Sequence, residues 1–109
     1  MEIEQLLREM GLPFAYRRFR PFKGSPLPEP PYIVWYIDEE QDFGSDSENL
    51  LKRQKITVEL YSKNKDRENE AKLEHMLKFT DFDKWEDYVE REKLYVVLYE
   101  FETITKIGG

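Results

Sequence analysis

The sequence contains no cysteine, one histidine and five scattered glycines. Without thiols, the chain can form no disulfide framework, thiolate zinc site or cysteine nucleophile. The scattered glycines provide no glycine-rich phosphate loop. The first residues lack the cationic start and apolar run of a signal peptide, and no stretch is apolar over the length that spans a bilayer. We therefore expect a protein without a membrane segment that is made in a reducing cytoplasm.

The sequence also lacks an excess of basic residues. Its 17 Lys and Arg residues stand against 23 Asp and Glu residues, which gives a net charge of −6. A protein that coats nucleic acid needs a cationic face, so this balance argues against that class. The chain has 109 residues, of which 39% are hydrophobic, and this is too apolar for a disordered protein. We expect one domain over residues 1–109.

Hydrophobic periodicity predicts two helices and four to five strands. The first helix is predicted over residues 2–10 and the second over 64–79, with Asn64 or Asp66 as its cap. The predicted strands are rich in β-branched and aromatic residues and lie at 14–19, 32–37, 51–62, 85–90 and 94–104. Because some connections have hairpin length, this order predicts an α+β fold with a mainly antiparallel sheet flanked by the helices.

An acidic segment without basic residues follows the second predicted strand. Its acidic residues are Asp38, Glu39, Glu40, Asp42, Asp46 and Glu48. We interpret residues 39–49 as a long mobile loop, since glycine and serine accompany the acids. The spacing of the first acids is similar to that of a calcium loop, but Phe43 takes the place of the required glycine and Asn49 that of the last acidic ligand. The pattern therefore predicts a solvated loop without a metal ion.

A basic segment, formed by Arg17, Arg18 and Arg20, alternates with aromatic residues near the N-terminus. This pattern is compatible with binding single-stranded nucleic acid by stacking and charge. The negative net charge favours another reading, an edge strand whose arginines point outward. In that case the basic segment of one copy would meet the acidic segment of the next, in a head-to-tail contact.

The sequence shows no catalytic constellation. His75 has no second ligand one turn away, and there is no G-x-S-x-G turn for a serine nucleophile. The many acids make no carboxylate pair distinctive. We assign no catalytic residue, no cofactor and no metal ligand.

Five segments, in order and spacing, carry a resemblance to a known family. They are residues 3–7 (IEQLL), 11–16 (GLPFAY), 30–36 (PPYIVWY), 55–62 (KITVELYS) and 92–102 (EKLYVVLYEFE). Together they resemble the small proteins encoded in the head–tail morphogenesis region of long-tailed phages and prophages of Gram-positive bacteria. These proteins are similar to tail terminators and tail completion proteins, which are structural and not enzymatic.

The resemblance implies an α+β subunit of a ring, in this family a hexamer, that caps the tail tube and contacts head connector proteins. It implies a place in the virion, at the tail or the head–tail junction, with DNA passing through the ring. The loop at 39–49 would become ordered on assembly. Because acids at a bore repel phosphate, we also expect some of the six acids from Asp38 to Glu48 to face the channel or a neighbouring subunit.

Two other classes of function remain open on the sequence. One is a monomeric adaptor or regulatory module that binds a protein through an aromatic sheet face. The other is a small metal-dependent nuclease that uses the acidic segment.

Overall fold

The structure, a computed structural model, describes residues 2–20, 27–44 and 51–106. Its elements, in chain order, are α1 (Ile3–Met10), β1 (Phe14–Tyr16), β2 (Tyr32–Phe43), β3 (Leu51–Ser62), α2 (Arg67–Met76), a 3-10 turn (Leu77–Phe79), β4 (Phe82–Val89) and β5 (Leu94–Lys106). The predicted α+β fold is therefore confirmed.

The five strands form one sheet in the order β1-β2-β3-β5-β4. Neighbouring strands run antiparallel except for β1 and β2, which pair in parallel through three residues each. The sheet is thus mixed but mainly antiparallel. The predicted hairpin at the C-terminus is present, and β4 and β5 pair from Phe82 opposite Phe101 to Val89 opposite Leu94.

Helix α1 forms because Leu6, Leu7 and Met10 recur at helical spacing and are all buried. Gly11 ends the helix in the left-handed conformation, with φ of 74°, and its N–H donates to the Arg8 carbonyl at 3.2 Å. A residue with a Cβ atom is strained in that conformation, which explains why a glycine follows the last helical residue. The prediction of this helix is confirmed to within one residue.

Helix α2 begins at Asp66, one of the two predicted caps, whose side chain accepts a hydrogen bond from the Asn69 N–H at 3.1 Å. The predicted helix over 64–79 is shorter in the structure, because its last turn tightens into the 3-10 turn. Leu73 and Leu77 are both fully buried, as the predicted apolar stripe requires.

Both helices pack on one face of the sheet, which we call the helix face. Its buried strand residues are Ile33, Trp35, Ile56, Val58, Leu60, Val97, Tyr99 and Phe101. The opposite face, which we call the open face, carries no helix in the described part of the chain. Its residues include Tyr32, Val34, Tyr36, Thr57, Glu59, Tyr61, Leu94, Val96 and Leu98. The predicted alternation in β5 is confirmed, since Val97 and Tyr99 lie on the helix face and Val96 and Leu98 on the open face.

The prediction of a loop from residue 39 is wrong for the part that the structure describes. Residues 39–43 continue β2, and each pairs with a residue of β3 between Leu51 and Lys55. Glycine and serine beside the acids predict a loop, and strands seldom carry so many charges. Here the partner strand is basic, so opposite charges meet across the pair and stabilise it. The rest of the predicted loop, apart from Gly44, lies outside the described residues.

The first predicted strand, residues 14–19, is also too long. β1 ends at Tyr16, because Arg17 adopts a positive φ of 69° that turns the chain out of the sheet. Its N–H still donates to the Trp35 carbonyl at 2.8 Å. The basic segment therefore begins at the outer edge of β2, just after β1 ends.

Candidate interaction surfaces

The acidic half of β2 lies beside the basic half of β3. Glu40 is 3.1 Å from the ammonium of Lys52 and accepts a hydrogen bond from Gln54 at 2.9 Å. These hydrogen bonds, first from Gln54 and then from Lys52, lower the pKa of Glu40, and Glu40 in turn raises the pKa of Lys52. Lys55 stands opposite Glu39 and forms an ion pair with Glu100 at 3.2 Å. The acids of this strand thus have basic neighbours within the same chain.

Asp38 marks a break in the pairing of β2 with β3. The register shifts between Ile37 and Glu39, so Asp38 has no partner residue across the pair. Its carboxylate instead accepts a hydrogen bond from the hydroxyl of Thr57, which is buried on the open face. Of the six acids singled out in the sequence, Asp38, Glu39, Glu40 and Asp42 therefore line one sheet region. Asp46 and Glu48 lie outside the described residues.

The basic segment starts at the side of β2 opposite β3 and continues beside the open face, where Arg18 lies near Tyr32 and Tyr61. Arg17 donates from Nη2 to the Ile37 carbonyl at 3.3 Å, and its guanidinium carbon lies 5.4 Å from the ring centre of Tyr16 and 5.9 Å from that of Tyr36. Arg18 and Arg20 are exposed. No carboxylate of the described residues forms an ion pair with any of the three arginines. The structure therefore does not bring the arginines and the acids of β2 into contact within one chain.

The open face carries an aromatic cluster around a single carboxylate. Tyr36 and Tyr61 each donate a hydroxyl hydrogen bond to Glu59 at 2.8 Å. Tyr61 also stacks on Tyr32, with ring centres 5.2 Å apart, and Tyr32 meets Phe19 edge-on at 5.2 Å. Burial, followed by the hydrogen bond to Glu59, raises the pKa of Tyr36 to about 12 and also raises that of Tyr61. Such phenols stay protonated near neutral pH, so they are donors and contact residues here and not bases.

A groove of about 430 Å³ runs beside this cluster. Its apolar lining includes Phe19, Leu27, Pro28, Tyr32 and Tyr61. Its charged lining is mixed, with Arg17, Arg18 and Lys63 beside Glu59 and Glu92. Leu27 is 56% exposed, although it is a large apolar residue. The sequence predicts an aromatic sheet face in general terms but not this groove, because the groove joins residues from distant segments.

An ion network on the helix face joins α2 to β4. The carboxylate of Glu70, which is only 5% exposed, lies 2.9 Å from Lys65 and 3.1 Å from Lys84. One of its oxygens, Oε2, is at ion-pair distance from Lys65 but outside hydrogen-bonding geometry. Lys84 also pairs with Glu74 at 2.8 Å, and Glu74 accepts the hydroxyl hydrogen of buried Tyr99 at 2.8 Å. Because every charge in this network has a partner of opposite sign, we assign it to stabilising the fold.

The described residues offer no assembled chemical centre. They contain no group of three or more His, Asp or Glu side chains arranged to hold a metal ion. His75 is exposed on α2. What the geometry does offer is a set of contact surfaces.

The comparisons with known proteins do not identify the chain. No model of a known protein family matches it, and no curated protein matches it significantly. Within residues 2–20, 27–44 and 51–106, no helix has both the length and the apolar character to cross a membrane. The functional proposal therefore rests on the surfaces and on the sequence resemblance.

Proposed function

We propose that this chain is a structural subunit of a phage or prophage, used in tail termination or head–tail joining. It assembles as a ring through protein–protein contacts, with the tail tube protein and head connector proteins as its partners. No catalytic role is part of this proposal. Its place is the tail or the head–tail junction of the virion.

The observation that carries the proposal is the exposed open face of the sheet. Three large apolar side chains lie on this face and remain exposed: Phe43 by 39%, Trp85 by 50% and Ile104 by 62%. They lie on separate rows of the sheet, opposite Leu51, Leu98 and Arg53 respectively, and Trp85 extends the apolar surface of its neighbour Leu98. Contiguous apolar surface is typical of sites that contact another protein. The sheet also ends in two different edges, one at β1 and β2 and the other at β4 and β5. Unlike edges suit head-to-tail contacts, which close into rings.

The acidic character of the chain fits a passage for DNA. Asp38, Glu39, Glu40 and Asp42 are all exposed, and the net charge is −6. Acidic side chains at a bore repel phosphate and let DNA slide through. The basic partners on β3 reduce this charge locally, so the acids support the proposal less strongly than the exposed face does.

The ring is tested by light scattering after size-exclusion chromatography, over a wide range of concentrations, and by electron microscopy of the largest species. We expect a discrete species several times heavier than the 13.2 kDa chain, seen as a ring with a central hole. In a host that carries the gene, deletion should leave heads and tails unjoined. A chain that is monomeric throughout and absent from purified particles would contradict the proposal.

A second candidate is a monomeric adaptor or regulatory module. The groove beside Tyr32 and Tyr61 favours it, because an apolar lining with a few fixed charges is typical of peptide-binding sites. The light-scattering experiment separates the two, since an adaptor stays monomeric at concentrations at which the ring forms.

A further inference from the structure

The two edges of the sheet carry charges of opposite sign that have no ion-pair partner among the described residues. At the β1–β2 edge these are the exposed arginines of the basic segment, Arg17, Arg18 and Arg20. At the β4–β5 edge they are Asp81, Asp83 and Glu102, which are also exposed. None of these six residues takes part in an ion pair between described residues. Within the described part of the chain, positive charge at one edge and negative charge at the other are therefore left without an ion-pair partner.

The acids at the second edge line a groove of about 500 Å³. The groove forms because β5 continues past Phe101 to Lys106, whereas its neighbour β4 begins opposite Phe101, at Phe82. Its charged lining consists of Asp81, Asp83, Glu100 and Glu102 with Lys55 as the sole cation. Lys55 already pairs with Glu100 at 3.2 Å, so the other three carboxylates face the groove without compensation.

Arg17 and the acidic groove lie at the same height along the strands, whereas Phe19, between Arg18 and Arg20, packs on Tyr32, nearer the start of β2. One row of paired residues crosses β2, β3, β5 and β4, from Ile37 to Ile56, Phe101 and Phe82. Arg17 holds the carbonyl of Ile37 at one end of this row, at 3.3 Å. Asp81 and Asp83 flank Phe82 at the other end.

We propose that the basic segment of one copy docks into this acidic groove of the next copy, and that this contact closes the ring. The inference rests on the proposed function, because it takes the ring as given and names the surfaces that form it. Subunits related by pure rotation do not shift along the rotation axis. If the axis runs along the strands, touching regions must therefore share one height, and Arg17 and the acidic groove do.

The contact differs from the one that the sequence suggested. The sequence suggests that the arginines meet the acids of residues 38–48 on a neighbouring copy. The described acids of that segment lie beside Lys52 and Lys55 of their own chain, or accept a hydrogen bond from Thr57. An arginine approaching them would meet positive charge as well. The groove at the start of β4 also contains Lys55, but that lysine pairs with Glu100, and Asp81, Asp83 and Glu102 form no ion pair with a described residue.

Charge reversal at each edge tests the docking. One variant carries Arg18→Glu and Arg20→Glu, which spares the hydrogen bond of Arg17. The other carries Asp81→Lys and Asp83→Lys. All four side chains are exposed and make no side-chain hydrogen bond to a described residue, so both variants should fold, which circular dichroism and thermal melting verify. Each variant alone places like charges in contact, and we expect the self-association constant to fall at least about tenfold.

An equimolar mixture of the two variants is the decisive sample. In this mixture, the introduced carboxylates of one variant meet the introduced ammonium groups of the other. The unchanged acidic groove of the first variant also meets the unchanged basic segment of the second. Assembly should therefore return, as alternating rings. Two control variants change the net charge equally at exposed positions outside the basic segment and the groove: Arg67→Glu with Arg91→Glu, and Glu68→Lys with Glu90→Lys. Both controls should assemble like the native chain.

Light scattering and sedimentation velocity read out each sample at low and high salt. Native rings should weaken as salt rises, because about 0.1 M salt screens charges beyond roughly 10 Å. If either reversed variant assembles like the native chain, or if the mixture stays monomeric while native rings form, the docking is wrong and the ring proposal stands. If the native chain never assembles, both the docking and the ring are wrong.

Discussion

At the scale of single residues, the molecule stabilises its few buried charges by pairing them. Glu70 is buried between Lys65 and Lys84, whose side chains are 30% and 37% exposed. Such a carboxylate is costly to bury alone and is retained only with partners. The pairing also holds α2 against β4, since the two lysines come from outside the helix.

Replacement of Glu70 by Ala tests this role. We expect Glu70→Ala to lower the free energy of unfolding by about 2 kcal/mol, because it leaves two lysines without their shared partner. Glu68→Ala is the matched control, since Glu68 is also acidic in the first turn of α2 but is exposed. Urea unfolding of both variants measures the difference. An equal loss of unfolding free energy in both variants would show that only the helix dipole, and not the ion network, is involved.

The same network predicts how stability depends on pH. Burial raises the pKa of Glu74, but hydrogen bonds from Lys84 and Tyr99 outweigh it and hold the pKa below the ordinary 4.5. The hydrogen bond from Lys65 likewise lowers the pKa of Glu86. A lowered pKa means that the folded state binds fewer protons than the unfolded state in this window. The contribution of Glu74 and Glu86 to the free energy of unfolding is therefore complete above pH 4.5. It is lost as the pH falls through the pKa values of the folded state.

The measurement is urea unfolding at a series of pH values between 7 and about 3. The free energy of unfolding should fall below pH 4.5, and the fall should be smaller in Glu74→Gln, which cannot titrate at that position. An identical acid dependence in the native chain and the variant would contradict the assignment.

At the scale of elements, the half of β2 beyond Ile37 depends on its neighbour β3. Glu39, Glu40 and Asp42 pair in register with Lys55, Gln54 and Lys52, so each acid lies opposite a basic or amide side chain. Cross-strand pairs of opposite charge each contribute roughly 0.2–1 kcal/mol, and like charges cost similar amounts. This half of the hairpin should therefore open more easily when the basic residues are reversed.

Hydrogen exchange tests this expectation. In the double variant Lys52→Glu with Lys55→Glu, the amides of residues 39–43 should exchange about tenfold faster, because repulsion replaces attraction across the pair. The amides of Ile33 and Trp35, in the helix-covered half of β2, should keep their protection. Arg67→Glu with Lys78→Glu, which alters charge on α2 and the following turn, serves as the control. Unchanged exchange in residues 39–43 would mean that backbone pairing alone holds the strand.

At the scale of the whole molecule, net charge and local charge compete in any encounter with nucleic acid. The basic segment and its aromatic neighbours resemble a single-strand binding pattern. The net charge of −6 opposes it, because it repels phosphate at a distance. In the structure the aromatic residues of this segment are also engaged: Phe19 contacts Tyr32, and Tyr16 contacts Trp35 with ring centres 4.8 Å apart.

We therefore expect no saturable binding of single- or double-stranded DNA at physiological salt, as measured by fluorescence anisotropy. The variant with Arg18→Glu and Arg20→Glu should give the same flat titration. Binding by the native chain that is lost in this variant would instead identify the basic segment as a nucleic-acid site, and would contradict the proposed docking role.

The structural elements that the sequence predicted well are those with local signals. The apolar spacing of Leu6, Leu7 and Met10 is a property of neighbouring residues, as is the alternation along β5, and both are confirmed. The failures have a common cause. The charges of residues 39–43 are unfavourable for an isolated strand and favour a loop. Only the basic partner strand makes these residues compatible with a sheet.

The sequence by itself determined the two helices, the main strands and the faces that each would bury, because these follow from periods of 3.6 and 2.0 residues along the chain. The tertiary structure alone decided which charges meet. The register of β2 and β3 brings Glu40 beside Lys52. The strand order places the start of the basic segment and Asp81 at opposite edges of the sheet. Such pairings depend on distances between segments that are far apart in the chain, and no local pattern records them.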